Sequence, residues 1–265
     1  MVHGLGGSAL NWTDLMGLLG DRLHAKAVDL PGFGYSPPAA DGDYSVRAHA
    51  SAVIAFIEAD GRGPVHLFGN SLGGLISTLV AAARPDLVRS LVLVSPALPN
   101  LRPGRWRTEV AVLGTPFVGP MLTRRLAQMS VDRRVDGLFR LVFADPSVIS
   151  PERRAEAGEE ILRRATLPYA AQSMALSSRG LVETFLVRGP RSVWAQAATV
   201  TAPTLLIFGR EDRLVPHQVG PKAASIFPDS QLVVLPRTGH VAQLEHPDIV
   251  DHFVREFLHS RVPAS

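Results

Sequence analysis

Ser71 lies in Gly69-Asn70-Ser71-Leu72-Gly73-Gly74, between the apolar run PVHLF and a stretch with helical periodicity. A nucleophile held at a tight strand-to-helix turn needs neighbours without side-chain bulk. Glycines two residues before and two after the serine meet that need. Such a turn also aims main-chain N–H groups, and the positive end of the following helix, at whatever the serine attacks. Leu75, Ile76, Leu79 and Val80 fall on one face of that helix.

A serine hydroxyl is a poor nucleophile until a base takes its proton, and the base needs an orienting carboxylate. Of nine histidines, His24 and His66 lie in strand-like runs, and His49, His252 and His259 lie on helical stretches. His240 differs, because it follows QLVVLP through the short loop Arg237-Thr238-Gly239. That places it at the C-terminal end of a strand, where α/β sheets assemble their sites. His217 and His246 are the competing bases. The carboxylate is expected at another strand end, where TLLIFG runs into Arg210-Glu211-Asp212-Arg213. Asp212 is the favoured acid and Glu211 its competitor. LVLVSPALP, after the preceding strand, offers no acid.

The elements that must carry these residues fall into three blocks. In residues 1–97, the short apolar runs HAKAVDL (24–30), PVHLFG (64–69) and RSLVLVS (89–95) predict buried strands, and helical patterns cover 45–61 and 71–85. Strands alternating with helices predict a parallel sheet covered on both faces. In residues 98–197 the strand signal disappears. PALPNLRPGRW reads as a linker, and EVAVLG, PMLTRRLAQMS, VDGLFRLVFAD, PERRAEAGEEILRRA and LPYAAQSMALSS read as short helices. The first pattern returns in residues 198–265 with TLLIFG, a helix near 217–226, QLVVLP and a helix near 247–259. This predicts one α/β domain interrupted by a helical cap.

Composition narrows the chemistry. The 265 residues are 46% hydrophobic and 19% charged, enough for a sizeable core. Without cysteine there is no disulfide, thiolate metal site or cysteine nucleophile. No apolar run approaches the ~18 residues of a membrane span, so a cytoplasmic protein is expected. Residues 99–196 hold 15 Arg and no Lys against 9 Asp and Glu, whereas the remainder is net acidic. These arginines read either as an anion-attracting surface over the segment or, the favoured reading, as the solvated faces of amphipathic helices. Scattered pairs without interleaved aromatics argue against nucleic acid. The expected partner is a small-molecule substrate, and the oligomeric state is open.

HGLGGSALNW, DLPGFGYS, GNSLGG, GREDRLVP and TGHVAQLEHP, in that order, resemble the α/β-hydrolase superfamily, in particular its capped esterases and carbon–carbon bond hydrolases. The chain order Ser71, Asp212, His240 is that of its catalytic triad. The resemblance implies that Ser71 attacks, His240 relays the proton and Asp212 orients His240. It also implies an oxyanion hole made by the N–H groups of Leu5 and Leu72, with no cofactor and no metal. The expected reaction is cleavage of a carboxylic ester of a small to medium apolar molecule through an acyl-enzyme. A serine nucleophile disfavours the dehalogenase and epoxide-hydrolase branches. The meta-cleavage-product branch carries Trp where this chain has Val241. Carbon–carbon bond cleavage, acyl transfer and perhydrolysis on the same triad are the alternatives, as is a ligand-binding protein without turnover. Phe33, Tyr35 and Trp194 are candidate cavity aromatics.

The resemblance further implies that His3-Gly4-Leu5 is fed by a central strand lying between those of HAKAVDL and PVHLFG. Only Met1 and Val2 precede that turn. Unpaired buried backbone groups cost roughly 1–3 kcal/mol each. The expectation is therefore an open apolar slot in the sheet and some ~20–30 further upstream residues in the working protein.

Overall fold

Side chains that alternate between two apolar layers make this sheet. The computed structural model describes residues 1–100 and 128–262. Four strands, β1 (Val65–Asn70), β2 (Val88–Val94), β3 (Thr204–Gly209) and β4 (Ser230–Leu235), run parallel in the order β1-β2-β3-β4. Leu67, Leu91, Leu93, Leu206 and Phe208 face one cluster. Phe68, Val92, Val94, Leu205 and Ile207 face the other. Strands buried on both faces are read as near-continuous apolar runs, which is why these segments are legible. Each fully buried Leu, Val or Ile side chain contributes about 1.5–3 kcal/mol relative to exposure.

Helices fill both layers. The first cluster takes α2 (Val46–Asp60), α3 (Leu72–Ala83) and α8 (Val219–Ile226). The second takes α1 (Thr13–Leu19) and α10 (Pro247–Arg261), with the short α9 (Ala242–Glu245) before α10. Between β2 and β3 come α4 (Val131–Val142), α5 (Pro151–Ala165), α6 (Ala170–Leu186) and α7 (Val193–Ala197). Ser130 and Ser150 start α4 and α5 by accepting main-chain N–H groups at the helix N-terminus. Val135, Phe139 and Phe143 form a third cluster with Val241, which joins this helical segment to the core.

Five sequence expectations return with boundaries shifted by a residue or so: β1, β2, β4 and the helices 46–60 and 72–83. EVAVLG and all but the last three residues of PMLTRRLAQMS lie outside the described residues. The strand expected over 24–30 needs correction. Only Val28 pairs, through a single parallel bridge to Val2, and Val2 bridges Gly69 on its other side. Val2 N–H donates to Phe68 O, Asn70 N–H to Val2 O, and Val28 N–H to Met1 O. Val2 thus stands where a central strand is expected, between Val28 and β1, and satisfies both neighbours over one residue's length. A ladder needs a partner as long as itself; beyond Val28 this segment makes one more such bond, Lys26 O accepting from the Met1 amine at 2.7 Å. Beside it a cavity of about 260 Å³ opens between residues 22–28 and Val65–Phe68, lined by apolar residues together with Arg22, Lys26 and Asp60.

Candidate active site

β1 delivers Ser71 into a strained turn. Its φ of 55° is left-handed backbone that a serine seldom adopts, a conformation costing about 1–3 kcal/mol that must be held from outside. Ser71 N–H donates to Val94 O, and Ser71 O accepts from Ala97 and Leu75. Glycine at 69 and 73 is required by space rather than by φ. A Cβ on Gly69 would stand 2.4 Å from Gly73 O, and one on Gly73 would stand 2.3 Å from Val2 O and 2.5 Å from His3 O. The elbow, the first turn of α3 and the Val2–His3 segment therefore close on each other backbone to backbone.

Asp212 and His240 leave the ends of β3 and β4. His240 Nδ1 donates to Asp212 Oδ2 at 2.9 Å. The side chains are 4% and 0% exposed, respectively. Asp212 Oδ1 accepts Leu214 N–H and Val215 N–H at 2.7 and 2.9 Å, which fixes the carboxylate plane. With Nδ1–H committed to the aspartate, His240 Nε2 keeps its lone pair. His240 and Ser71 line the same cavity of about 300 Å³. No hydrogen bond joins the Ser71 hydroxyl to the ring; catalytic hydrogen bonds of this kind tighten when substrate is bound.

The competitors are occupied elsewhere. Glu211 Oε2 accepts Thr238 N–H at 3.0 Å. His217 and His246 pair through ring nitrogens with Arg210 O and Arg237 O, and neither lines the cavity. The candidate aromatics do not line it either. Phe33 is core, Tyr35 lies under the Arg163 guanidinium on the surface, and Trp194 lies under Lys222.

Leu5 lies in the cavity wall, and Leu72 begins α3 directly after Ser71. No acceptor among the described residues takes the N–H of Leu5, and that of Leu72 has no intrahelical partner by position. His3 sets the approach to Leu5. Its Nδ1 donates to Gly4 O at 2.7 Å and its Nε2 accepts Leu30 N–H at 3.0 Å, which makes it a neutral, fully engaged ring. Burial pushes its pKa down to about 4.

Three further residues hold the site, and sequence reading misses them. Asn70 Nδ2 donates to Val94 O and to His240 O, tying the elbow to the histidine loop. Glu245 accepts Gly239 N–H with one oxygen and Ala144 and Asp145 N–H with the other. Arg213 caps the C-terminal end of α4 through Phe143 O at 2.6 Å and Arg140 O. The nearest sequence signals for Asn70 and Glu245 are their positions inside GNSLGG and HVAQLEHP. Four of the ten described arginines of the helical segment are ion-paired: Arg153 with Asp14 and Glu156, Arg154 with Asp136, Arg163 with Glu160 and Arg179 with Glu183. Among the described residues no group of three or more His, Asp or Glu could hold a metal ion.

This elbow-and-loop geometry accompanies a family match: the alpha/beta hydrolase fold family covers residues 1–247. The chain belongs to the α/β-hydrolase family. The chain is 28% identical over 263 residues to a 2-hydroxy-6-oxononadienedioate/2-hydroxy-6-oxononatrienedioate hydrolase of Dechloromonas aromatica, spanning 97% of this chain and 85% of that one. It is 28% identical over 260 residues to the pimeloyl-acyl-carrier-protein methyl ester esterase of Aeromonas hydrophila, spanning 96% and 94%. Among solved structures, a bacterial membrane phospholipase A superposes with a TM-score of 0.79 at 25% identity, over 97% of this chain and 77% of that one. The expected fold, a mostly parallel sheet flanked by helices, is thus met in this α/β-hydrolase. No described helix is long and apolar enough to cross a membrane.

Proposed function

We propose that this α/β-hydrolase cleaves carboxylic esters of small to medium molecules with Ser71 as nucleophile, His240 as general base and acid, and Asp212 as its orienting carboxylate. The observation that carries the reading is the buried His240–Asp212 hydrogen bond opening on the same cavity as the strained Ser71 turn. Ser71 Oγ adds to the ester carbonyl while His240 Nε2 takes its proton, and Asp212 stabilises the imidazolium. The N–H groups of Leu5 and Leu72 receive the developing oxyanion, each such donor being worth ~2.7–4 kcal/mol of transition-state stabilisation. The imidazolium then protonates the leaving alkoxide. The same ring activates water to release the acid from Ser71.

The cavity wall facing Ser71 comes from α4, α5 and α6, including Leu138, Phe139, Ile161, Met174 and Leu181. This supports a cap over residues 98–197 inserted into a core of 1–97 and 198–265. Its apolar lining sets the size of the acyl group and excludes water. Relatives named for esters and for dienedioates both occur, so carbon–carbon bond cleavage on the same residues is the second reading. A fluorophosphonate probe should label the wild type at Ser71 and leave Ser71→Ala unlabelled. An unlabelled wild type with a cooperative melt would overturn the catalytic reading. A panel of esters run beside a ring-cleavage dienoate separates the two reactions.

A further inference from the structure

Arg164 breaks the pattern of its neighbours. It sits in the last turn of α5, and no carboxylate among the described residues forms an ion pair with it. The two acids beside it in the cavity wall are already engaged. Glu160 is held by Arg163 through both oxygens, at 2.7 Å each, and Glu156 by Arg153 at 2.8 Å. The Arg164 guanidinium makes one hydrogen bond, from Nη1 to Gly6 O, and Nη2 lies 3.8 Å from where a Cβ on Gly6 would stand. Its remaining N–H groups belong to a planar fork that matches a carboxylate. Burial lowers its pKa from the usual arginine value, yet a guanidinium stays charged at neutral pH. Glu160 acts on it through charge alone, without an ion pair, and a cation with no ion-paired carboxylate among the described residues is costly in a largely apolar cavity unless something completes it.

We propose that Arg164 is the anion-recognition residue of the substrate cavity, and that the preferred substrates are half-esters of short dicarboxylic acids. The free carboxylate meets the Arg164 fork while the ester carbonyl meets Ser71. Placement sets the spacer. Arg164 is anchored to the carbonyl of Gly6, the residue after Leu5, so its charge lies about one Cα step plus one hydrogen bond, roughly 6–7 Å, from the oxyanion donor. That distance suits about two to four methylenes between carboxylate and ester carbonyl. Because Glu156 and Glu160 are each ion-paired to another arginine, an incoming carboxylate meets Arg164 as a cavity cation without an ion-pair partner among the described residues. The inference rests on Ser71 acting on esters, as proposed above.

The test compares kcat/KM for monoethyl glutarate with that for ethyl 5-methylhexanoate, in which an isopropyl group replaces the carboxylate. The wild type should favour the half-ester. Arg164→Gln should lower the half-ester to neutral-ester ratio by about 10- to 100-fold, the range for losing a hydrogen bond to a charged group, and Arg164→Lys should restore part of it. Taking the ratio cancels any general loss of turnover. A wild-type ratio at or below one overturns the proposal even should Arg164→Gln fail to fold, and so does an unchanged ratio in a folded Arg164→Gln. Calorimetry of glutarate with Ser71→Ala gives a readout without turnover, expected to weaken at least about tenfold when Arg164→Gln is added. If neither ester is cut but glutarate binds through Arg164, the esterase reading fails and the anion site stands. If esters are cut without preference, the anion site fails and the esterase reading stands. Absence of both turnover and glutarate binding overturns the anion site as well.

Discussion

Replacing Glu245 with Gln should loosen His240, the proposed general base, without touching it. The carboxylate is buried and accepts three main-chain N–H groups: Gly239 at 2.6 Å, Ala144 at 2.9 Å and Asp145 at 3.0 Å. It therefore clamps the loop that carries His240 to the segment leaving α4. His240 N–H reinforces the same junction by donating to Val142 O at 2.7 Å. A glutamine can still accept from Ala144 and Asp145 with its one oxygen, but its amide NH2 then faces the Gly239 N–H, donor against donor. One charge-assisted bond is lost and a buried N–H is left unmatched, which costs about 2–3 kcal/mol. Alanine would strand all three donors and cost about 3–5 kcal/mol. Urea unfolding should show a lower midpoint at constant m for Glu245→Gln. Because Gly239 precedes His240, kcat should also fall, by about 10- to 100-fold, while KM moves little. A misplacement of about 1 Å is enough for a loss of that order. Glu211→Gln is the internal comparison, since Glu211 accepts only Thr238 N–H in the same loop. It should cost about 1 kcal/mol. The reasoning is refuted if Glu245→Gln lies within about 0.5 kcal/mol of wild type with unchanged kcat, or if Glu211→Gln is the more damaging of the two.

Gly73→Ala should abolish labelling by the fluorophosphonate and lower the melting temperature sharply. Its Cβ would meet two backbone oxygens, which no side-chain rotation can relieve; normal labelling by that variant would show the elbow to be looser than described. Stability should also depend on pH through His3 and His49, both pushed by burial from 6.5 down to about 4. The unfolded chain takes up these protons first, so the stability they confer is complete above about pH 6.5 and is lost as pH falls toward 4. Each contributes a slope of up to about 1.4 kcal/mol per pH unit within that window. Urea midpoints at pH 7 and pH 5 measure it, and His49→Gln should reduce the slope. A flat profile between those two pH values would contradict the buried neutral rings.

What the sequence makes legible is what short-range chemistry fixes. Ser71 is readable because Gly69 and Gly73 must lack a Cβ for backbone to meet backbone, and that demand is written within five residues. Asp212 and His240 are readable because each follows an apolar strand through a short polar loop. Whether HAKAVDL forms a strand is a different kind of question, because pairing belongs to two segments at once, and Val2 offers Val28 a single residue of partner. Asn70, Glu245 and Arg213 act on main-chain atoms about 70–170 residues away. Such bonds leave no periodicity and no spacing to detect. Arg164 is harder still. In PERRAEAGEEILRRA, Glu160 stands three residues before Arg163 and four before Arg164, so helical spacing allows either pair, yet one pairs with Glu160 and the other turns to Gly6 and the cavity. The proposed catalytic residues of this fold are therefore anchored at strand ends, where local sequence rules operate. Substrate choice is set by which arginine of a doublet finds a carboxylate in its own protein, and which is left to find one in the substrate.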